Sequence, residues 1–147
     1  MEDEAMEVAP LLREPFIAAL PARHPLARRK RVAFGRLAQE PFVCCTREVA
    51  PGLYAQVMDS ARQVGLLLRV VQEAPRLLPI CALVAAEVGV SIVPASVRTM
   101  ARRGVVYRDL EAPAPMVEIA LAWRRGDQSA ALRTFVDVAQ QTVGKTR

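Results

Sequence analysis

The chain has 147 residues, a formal net charge of +5, 52% apolar and 24% charged residues. That length holds one ordinary core or two small lobes, and that balance excludes an intrinsically disordered chain. No apolar run reaches the roughly 18 residues a membrane-spanning helix needs, and three cysteines with no repeated spacing exclude a disulfide framework.

Taken in chain order, Met6–Leu12 and Phe16–Leu20 read as two strands separated by Arg13-Glu14-Pro15. Pro21 to Pro25 is a loop closed by proline at both ends. Phe34–Gln39 is at most a helical turn, and Pro41–Cys45 is a buried strand. Thr46–Gly52 is a polar loop. Leu53–Gly65 reads as an amphipathic helix with Leu53, Val57, Ala61 and Val64 on one face. Leu68–Val71 is a β-branched strand broken by Glu73-Ala74-Pro75. Leu77–Val88 is an apolar, Ala- and Leu-rich helix, with Gly89 as its expected left-handed cap. Val90–Val93 forms a strand stopped by Pro94. Two strands joined by such a helix are expected to pair in parallel with a right-handed crossover. Ala95–Arg103 reads as a helix ending at Gly104, and Val105–Tyr107 and Val117–Trp123 as strands. Ser129 is the expected N-cap of a last helix with Leu132, Phe135, Val136, Ala139 and Val143 on one face.

Little in this chain points to catalysis. The single histidine, His24, lies between Arg23 and Pro25, and the sequence offers it no partner acid. Cys44 and Cys45 are adjacent on a strand, where successive side chains alternate faces, so they do not form a metal pair. No Gly-x-Gly-x-x-Gly, phosphate-binding loop or Gly-x-Ser-x-Gly is present. The expectation is a non-enzyme with no metal and no cofactor. Basic residues cluster at Arg28–Arg31, Arg102-Arg103 and Arg124-Arg125, all beside turns. No aromatic residue is interleaved with the first cluster, so a solvated loop is the expected reading there, ahead of a DNA-contacting patch. The acidic start, Glu2-Asp3-Glu4, is the opposite of a secretory signal, and a cytoplasmic location is expected.

The segments VVQEAP, an apolar helix ending LVAA, and VGVSIVPASV resemble the effector-binding domain of LysR-type transcriptional regulators. ALPARHPLA at Ala19–Ala27, EPFV at Glu40–Val43, PGLY at Pro51–Tyr54 and ALAWRRGDQSAALRTF near the end extend the resemblance through nearly the whole chain, in the family's order and spacing. One local departure is Glu87, where the family often has glycine.

The resemblance implies an α/β, periplasmic-binding-protein-like fold of two lobes, linked by crossovers near Phe16–Leu20 and Ile92–Pro94. Residues 21–96 would form a complete second lobe, and residues 1–20 and 97–147 a partial first lobe. The family's helix-turn-helix and the front of its first lobe have no counterpart here. DNA would therefore be reached only through a helix-turn-helix absent from this chain. The unpaired sheet edges of a partial lobe imply self-association, hence a homo-oligomer.

The implied function is effector binding for transcription regulation: a small, anionic, carboxylate-bearing metabolite sensed in an interlobe cleft. In open α/β sheets ligands sit beyond the carboxyl ends of strands, near helix N-termini. The expected wall is Gln72, Glu73, Ala74, Pro75, Arg76, Leu77 and Leu78. Thr46 and Arg47 would face it, with Val93 and Pro94 as the floor. A plainer reading leaves Arg76 and Arg47 solvated or paired with Glu73 and Glu48. The alternative function is a ligand-free oligomerisation module derived from such a regulator, in which the cleft is filled.

Overall fold

The protein's structure is a computed structural model and describes residues 5–144. In chain order the elements are β1 (Met6–Pro21), a 3-10 turn (Pro25–Arg28), β2 (Arg31–Val32), α1 (Phe34–Leu37), β3 (Pro41–Cys45) and α2 (Pro51–Gln63). There follow β4 (Arg69–Ala74), α3 (Leu77–Ala85), β5 (Ser91–Pro94) and a second 3-10 turn (Ala95–Thr99). The chain continues through β6 (Val105–Leu110), β7 (Met116–Arg124) and α4 (Ala130–Gly144). Two compact units divide it: Glu14–Val117, and the described parts of Met1–Arg13 with Glu118–Arg147. The passages between them fall inside β1, from Arg13 to Glu14, and inside β7, from Val117 to Glu118; β5 and β6 lie wholly within the first-named unit.

The core of the Glu14–Val117 unit is built on the second half of β1. Phe16, Ala18, Ala19 and Leu20 are completely buried there. β5 pairs antiparallel on one side, Phe16 opposite Pro94 and Ala19 opposite Ser91. β6 pairs antiparallel on the other, Ile17 opposite Asp109 and Pro21 opposite Val105. A short parallel β2 borders β6 at Asp109 and Leu110.

β1 is one strand of 16 residues, not the two that the sequence predicts. The polar break at Arg13-Glu14-Pro15 is misleading because Glu14 is satisfied from a distance. Its carboxylate accepts the Ser96 N–H at 2.6 Å and the Ser96 hydroxyl at 2.9 Å, which lets a carboxylate sit only 8% exposed.

A second, two-stranded parallel sheet joins β3 to β4, with Cys45 opposite Ala74 at its carboxyl end. The expected pairing of β4 with β5 is therefore corrected: β3 stands between them. Val90, just before β5, bridges Phe42. Val43 N–H donates to Val90 O and Val90 N–H to Pro41 O, both at 2.8 Å.

The end of α3 also differs from expectation. Glu87, not Gly89, occupies the left-handed position, at φ 63°. Val88 N–H donates to Leu83 O at 3.1 Å and Glu87 N–H to Val84 O at 3.0 Å, which is the paired 6→1 and 5→2 bonding of a Schellman cap. Gly89 is needed for space: a Cβ there would lie 2.4 Å from the Pro41 carbonyl oxygen. The helix expected over Ala95–Arg103 is only the 3-10 turn Ala95–Thr99, and β4 extends to Ala74, past the predicted break at Glu73.

In the other unit β7 pairs with β1. Trp123 Nε1–H donates to the Glu7 carboxylate at 2.8 Å. Ser129 caps α4 as the sequence predicts, its Oγ accepting Leu132 N–H at 3.1 Å. Val8, Ile119, Phe135 and Val138 of this unit are exposed. Among the described residues, no helix is long and apolar enough to cross a membrane.

Candidate ligand site at the carboxyl ends of two parallel strands

β3 and β4 run side by side, and each hands over to a helix. The chain leaves β3 at Cys45 and enters α2 at Pro51; it leaves β4 at Ala74 and enters α3 at Leu77. Parallel pairing puts both carboxyl ends at the same edge, so both helix N-termini arrive there too. A cavity of about 450 Å³ lies at this edge, lined by Cys45, Ala50 and Leu53 from the first crossing and by Pro75 to Pro79 from the second.

Neither helix start is closed by a side chain: Ala50 and Arg76 occupy the N-cap positions and make no side-chain cap bond. The first N–H groups of a helix have no partner inside it. Pro51 and Pro79 carry no N–H, while Tyr54 donates to Ala50 O and Ile80 to Arg76 O. The first-turn donors that remain are Gly52, Leu53, Leu77 and Leu78. Partial positive charge from two helix dipoles therefore converges on one apolar cavity. The Arg76 guanidinium adds a full charge beside it, and it has no hydrogen-bond or ion-pair partner among the described residues. The suggested pairing with Glu73 is not formed.

Of the residues expected from sequence, Pro75, Arg76, Leu77 and Leu78 line the cavity. Thr46 adjoins it in the chain; it is half-buried, its N–H donates to Ala74 O at 3.0 Å, and its carbonyl accepts Val49 and Ala50 N–H. Arg47 is exposed on the following turn. Gln72 and Glu73 are exposed on β4, with Gln72 Nε2–H donating to Glu73 O at 3.2 Å, and Ala74 is buried. Val93 and Pro94 are buried in β5 against β1 and do not line the cavity.

Cys45, Ala50, Leu53 and Pro79 complete the lining and are absent from the sequence-based set. The signal for the first three was the second strand end: the carboxyl-end rule applies to β3 as it does to β4. The Cys45 thiol is lowered from its ordinary value by its hydrogen bond with Cys44, against burial, which raises it. Cys44 is pushed far up by that same hydrogen bond and by burial.

His24 does find an acid, contrary to the sequence reading. Its Nε2 lies 3.7 Å from the Glu40 carboxylate, and its Nδ1 accepts Leu26 N–H at 3.2 Å, which caps the 3-10 turn Pro25–Arg28. The imidazole is thereby committed to holding this turn. Among the described residues no group of three or more His, Cys, Asp or Glu side chains could hold a metal ion.

A sheet-and-helix unit with its cavity at the strand carboxyl ends belongs to the open α/β class of ligand-binding folds. The LysR substrate binding domain family matches residues 2–144. The chain belongs to this family: it is an effector-binding domain of a LysR-type transcriptional regulator, with the α/β, periplasmic-binding-protein-like fold.

The uncharacterized HTH-type transcriptional regulator YnfL of Escherichia coli (strain K12) is 34% identical over 133 residues, 90% of this chain and 45% of that protein. The HTH-type transcriptional regulator IlvR of Caulobacter vibrioides is 37% identical over 127 residues, 84% of this chain and 40% of that protein. The chain thus spans less than half the length of these curated relatives. Among solved structures, the BenM effector binding domain with its effector benzoate superposes with a TM-score of 0.86 at 25% identity, covering 99% of this chain and 67% of that one.

Proposed function

We propose that this chain senses a small carboxylate by holding it at the joint N-termini of α2 and α3. The observation that carries the reading is the convergence of two uncapped helix starts and an unpartnered Arg76 on one cavity. A carboxylate there would accept first-turn amides of both helices while its apolar body rests on Leu53, Leu77 and Leu78. The likeness to an effector domain whose ligand is benzoate supports an anion with an apolar body. Thr46, Arg47, Gln72 and Glu73 would form the rim, and Ala74, Val93 and Pro94 would support it from beneath.

The ligand-bearing stretch, Cys45 to Pro79, falls within the proposed second lobe, residues 21–96, whose counterpart is residues 1–20 with 97–147. Signalling would be a population shift between lobe arrangements, driven by tighter affinity for one of them. The matched relatives are named transcriptional regulators, which supports binding without turnover. The rival reading of a ligand-free module is not favoured, since the cavity is open and not filled by side chains. Self-association in the cytoplasm belongs to the same proposal, supported by the exposed Phe135 and Val138 of α4.

Isothermal titration with benzoate, aliphatic carboxylates and their amides tests the reading. Carboxylates are expected to bind and the matching amides not to. A hydrogen bond to a charged group contributes about 1.5–3 kcal/mol. Arg76→Ala should therefore weaken binding by about 10-fold or more, and Thr46→Val by less. Equal binding of acid and amide, or an Arg76→Ala variant with unchanged affinity, would overturn it.

A further inference from the structure

A second concave surface of the Glu14–Val117 unit carries a different chemistry. The fold gathers basic residues from distant parts of the sequence around the outer edge of β6. Arg28, Arg29 and Lys30 come from the turn that leads into β2; Arg98 comes from the Ala95–Thr99 turn, and Arg108 from β6 itself. Together with Asp109 they line a cavity of about 660 Å³.

These cations are not equally committed. Arg98 is held by Asp109, Nη2 to carboxylate oxygen at 2.7 Å. Arg108 is held by main-chain carbonyls, Nε donating to Ala27 O at 3.1 Å and Nη1 to Tyr107 O at 2.9 Å. Arg28, Arg29 and Lys30 are exposed, and their side chains have no hydrogen-bond or ion-pair partner among the described residues. Three adjacent long cations in water beside two fixed guanidinium groups, offset by a single carboxylate, create a positive field that favours a polyanion.

We infer that this groove, formed by Arg28, Arg29 and Lys30 with Arg98 and Arg108, is a contact surface for the phosphate backbone of duplex DNA. Two observations select that partner. The groove is wide and open and its three uncommitted cations are exposed, whereas a small-molecule site buries most of its ligand. Strand addition by an acidic peptide is blocked, because the Arg108 guanidinium already occupies the Tyr107 carbonyl and ties it to Ala27. The contact reads no bases. It supplies sequence-independent affinity and orientation beside a separate recognition element, and it is independent of the ligand site at α2 and α3.

The test is fluorescence anisotropy of the full chain with a labelled 20-base-pair duplex of arbitrary sequence over a series of salt concentrations. Each phosphate neutralised contributes about 0.9 to the slope of log affinity against log salt. The triple variant Arg28→Ala/Arg29→Ala/Lys30→Ala is expected to flatten that slope by about 2.7. Arg28→Lys/Arg29→Lys should retain it, and Arg124→Ala/Arg125→Ala, in the other unit, should leave it unchanged. A triple variant with the parental slope would overturn the inference. So would the absence of duplex binding at low salt, or displacement of the duplex by ATP or by polyglutamate at equal total charge.

Discussion

Gly89→Ala is a substitution of one methyl group with a large expected cost. The added Cβ would lie 2.4 Å from the Pro41 carbonyl oxygen and 2.9 Å from its carbon, both backbone atoms at the start of β3. No side chain can swing aside to relieve that overlap, so the backbone must part. The bonds that would be lost are Val90 N–H to Pro41 O and Val43 N–H to Val90 O, each 2.8 Å long. Two intramolecular hydrogen bonds contribute about 0.5–1.5 kcal/mol each, and inserting a methyl into a packed interior costs about 1–3 kcal/mol. The expected loss is therefore about 2–6 kcal/mol. At roughly 2–4 °C per kcal/mol for a chain of this size, thermal unfolding followed by circular dichroism should show a drop of at least about 4 °C. β3 carries one side of the candidate cavity, so affinity for a carboxylate should fall as well. A Gly89→Ala variant that melts with the parent would refute the steric reasoning.

Glu87→Gly, two residues away, should act in the opposite direction. An exposed non-glycine residue at φ 63° carries a cost of about 1 kcal/mol that glycine relieves, so the melting temperature is expected to rise by roughly 2–4 °C. Glu14→Ala removes two charge-assisted bonds from Ser96, each contributing about 1.5–3 kcal/mol, and should destabilise by about 3–6 kcal/mol in urea unfolding, with Glu14→Gln in between. The lowered Cys45 thiol has the larger thiolate fraction at neutral pH, and its raised neighbour stays protonated. Alkylation mapped by mass spectrometry should therefore modify Cys45 faster than Cys44 as pH rises from 7 to 8. Benzoate should slow modification of Cys45, because that thiol lines the cavity.

What the sequence made legible was largely local. Pro41–Cys45 stands out because an apolar run is bounded by Pro41 and Thr46, and Ser129 declares the start of α4 through a short side-chain bond to Leu132. The continuity of β1 was hidden because Glu14 is satisfied by Ser96, 82 positions away. The order of β3 between β4 and Val90 depends on pairings that no periodicity encodes. At α3, glycine at position 89 looked like a cap because the local pattern cannot distinguish a need for positive φ from a need for space. The site was half legible for the same reason. Pro75 to Leu78 announce a helix start, whereas Cys45, Ala50 and Leu53 join them only once β3 and β4 are known to be neighbours and parallel.

The most direct test of the ligand reading is a ¹H–¹⁵N NMR titration of the chain with benzoate. The expected result is saturable shift change at the amides of Leu53, Leu77 and Leu78, first-turn donors whose residues line the cavity, and little change along β6. Shifts confined to the basic groove around Arg28 to Lys30, or a spectrum unchanged at millimolar benzoate while other carboxylates also fail, would contradict a carboxylate site at the paired helix N-termini.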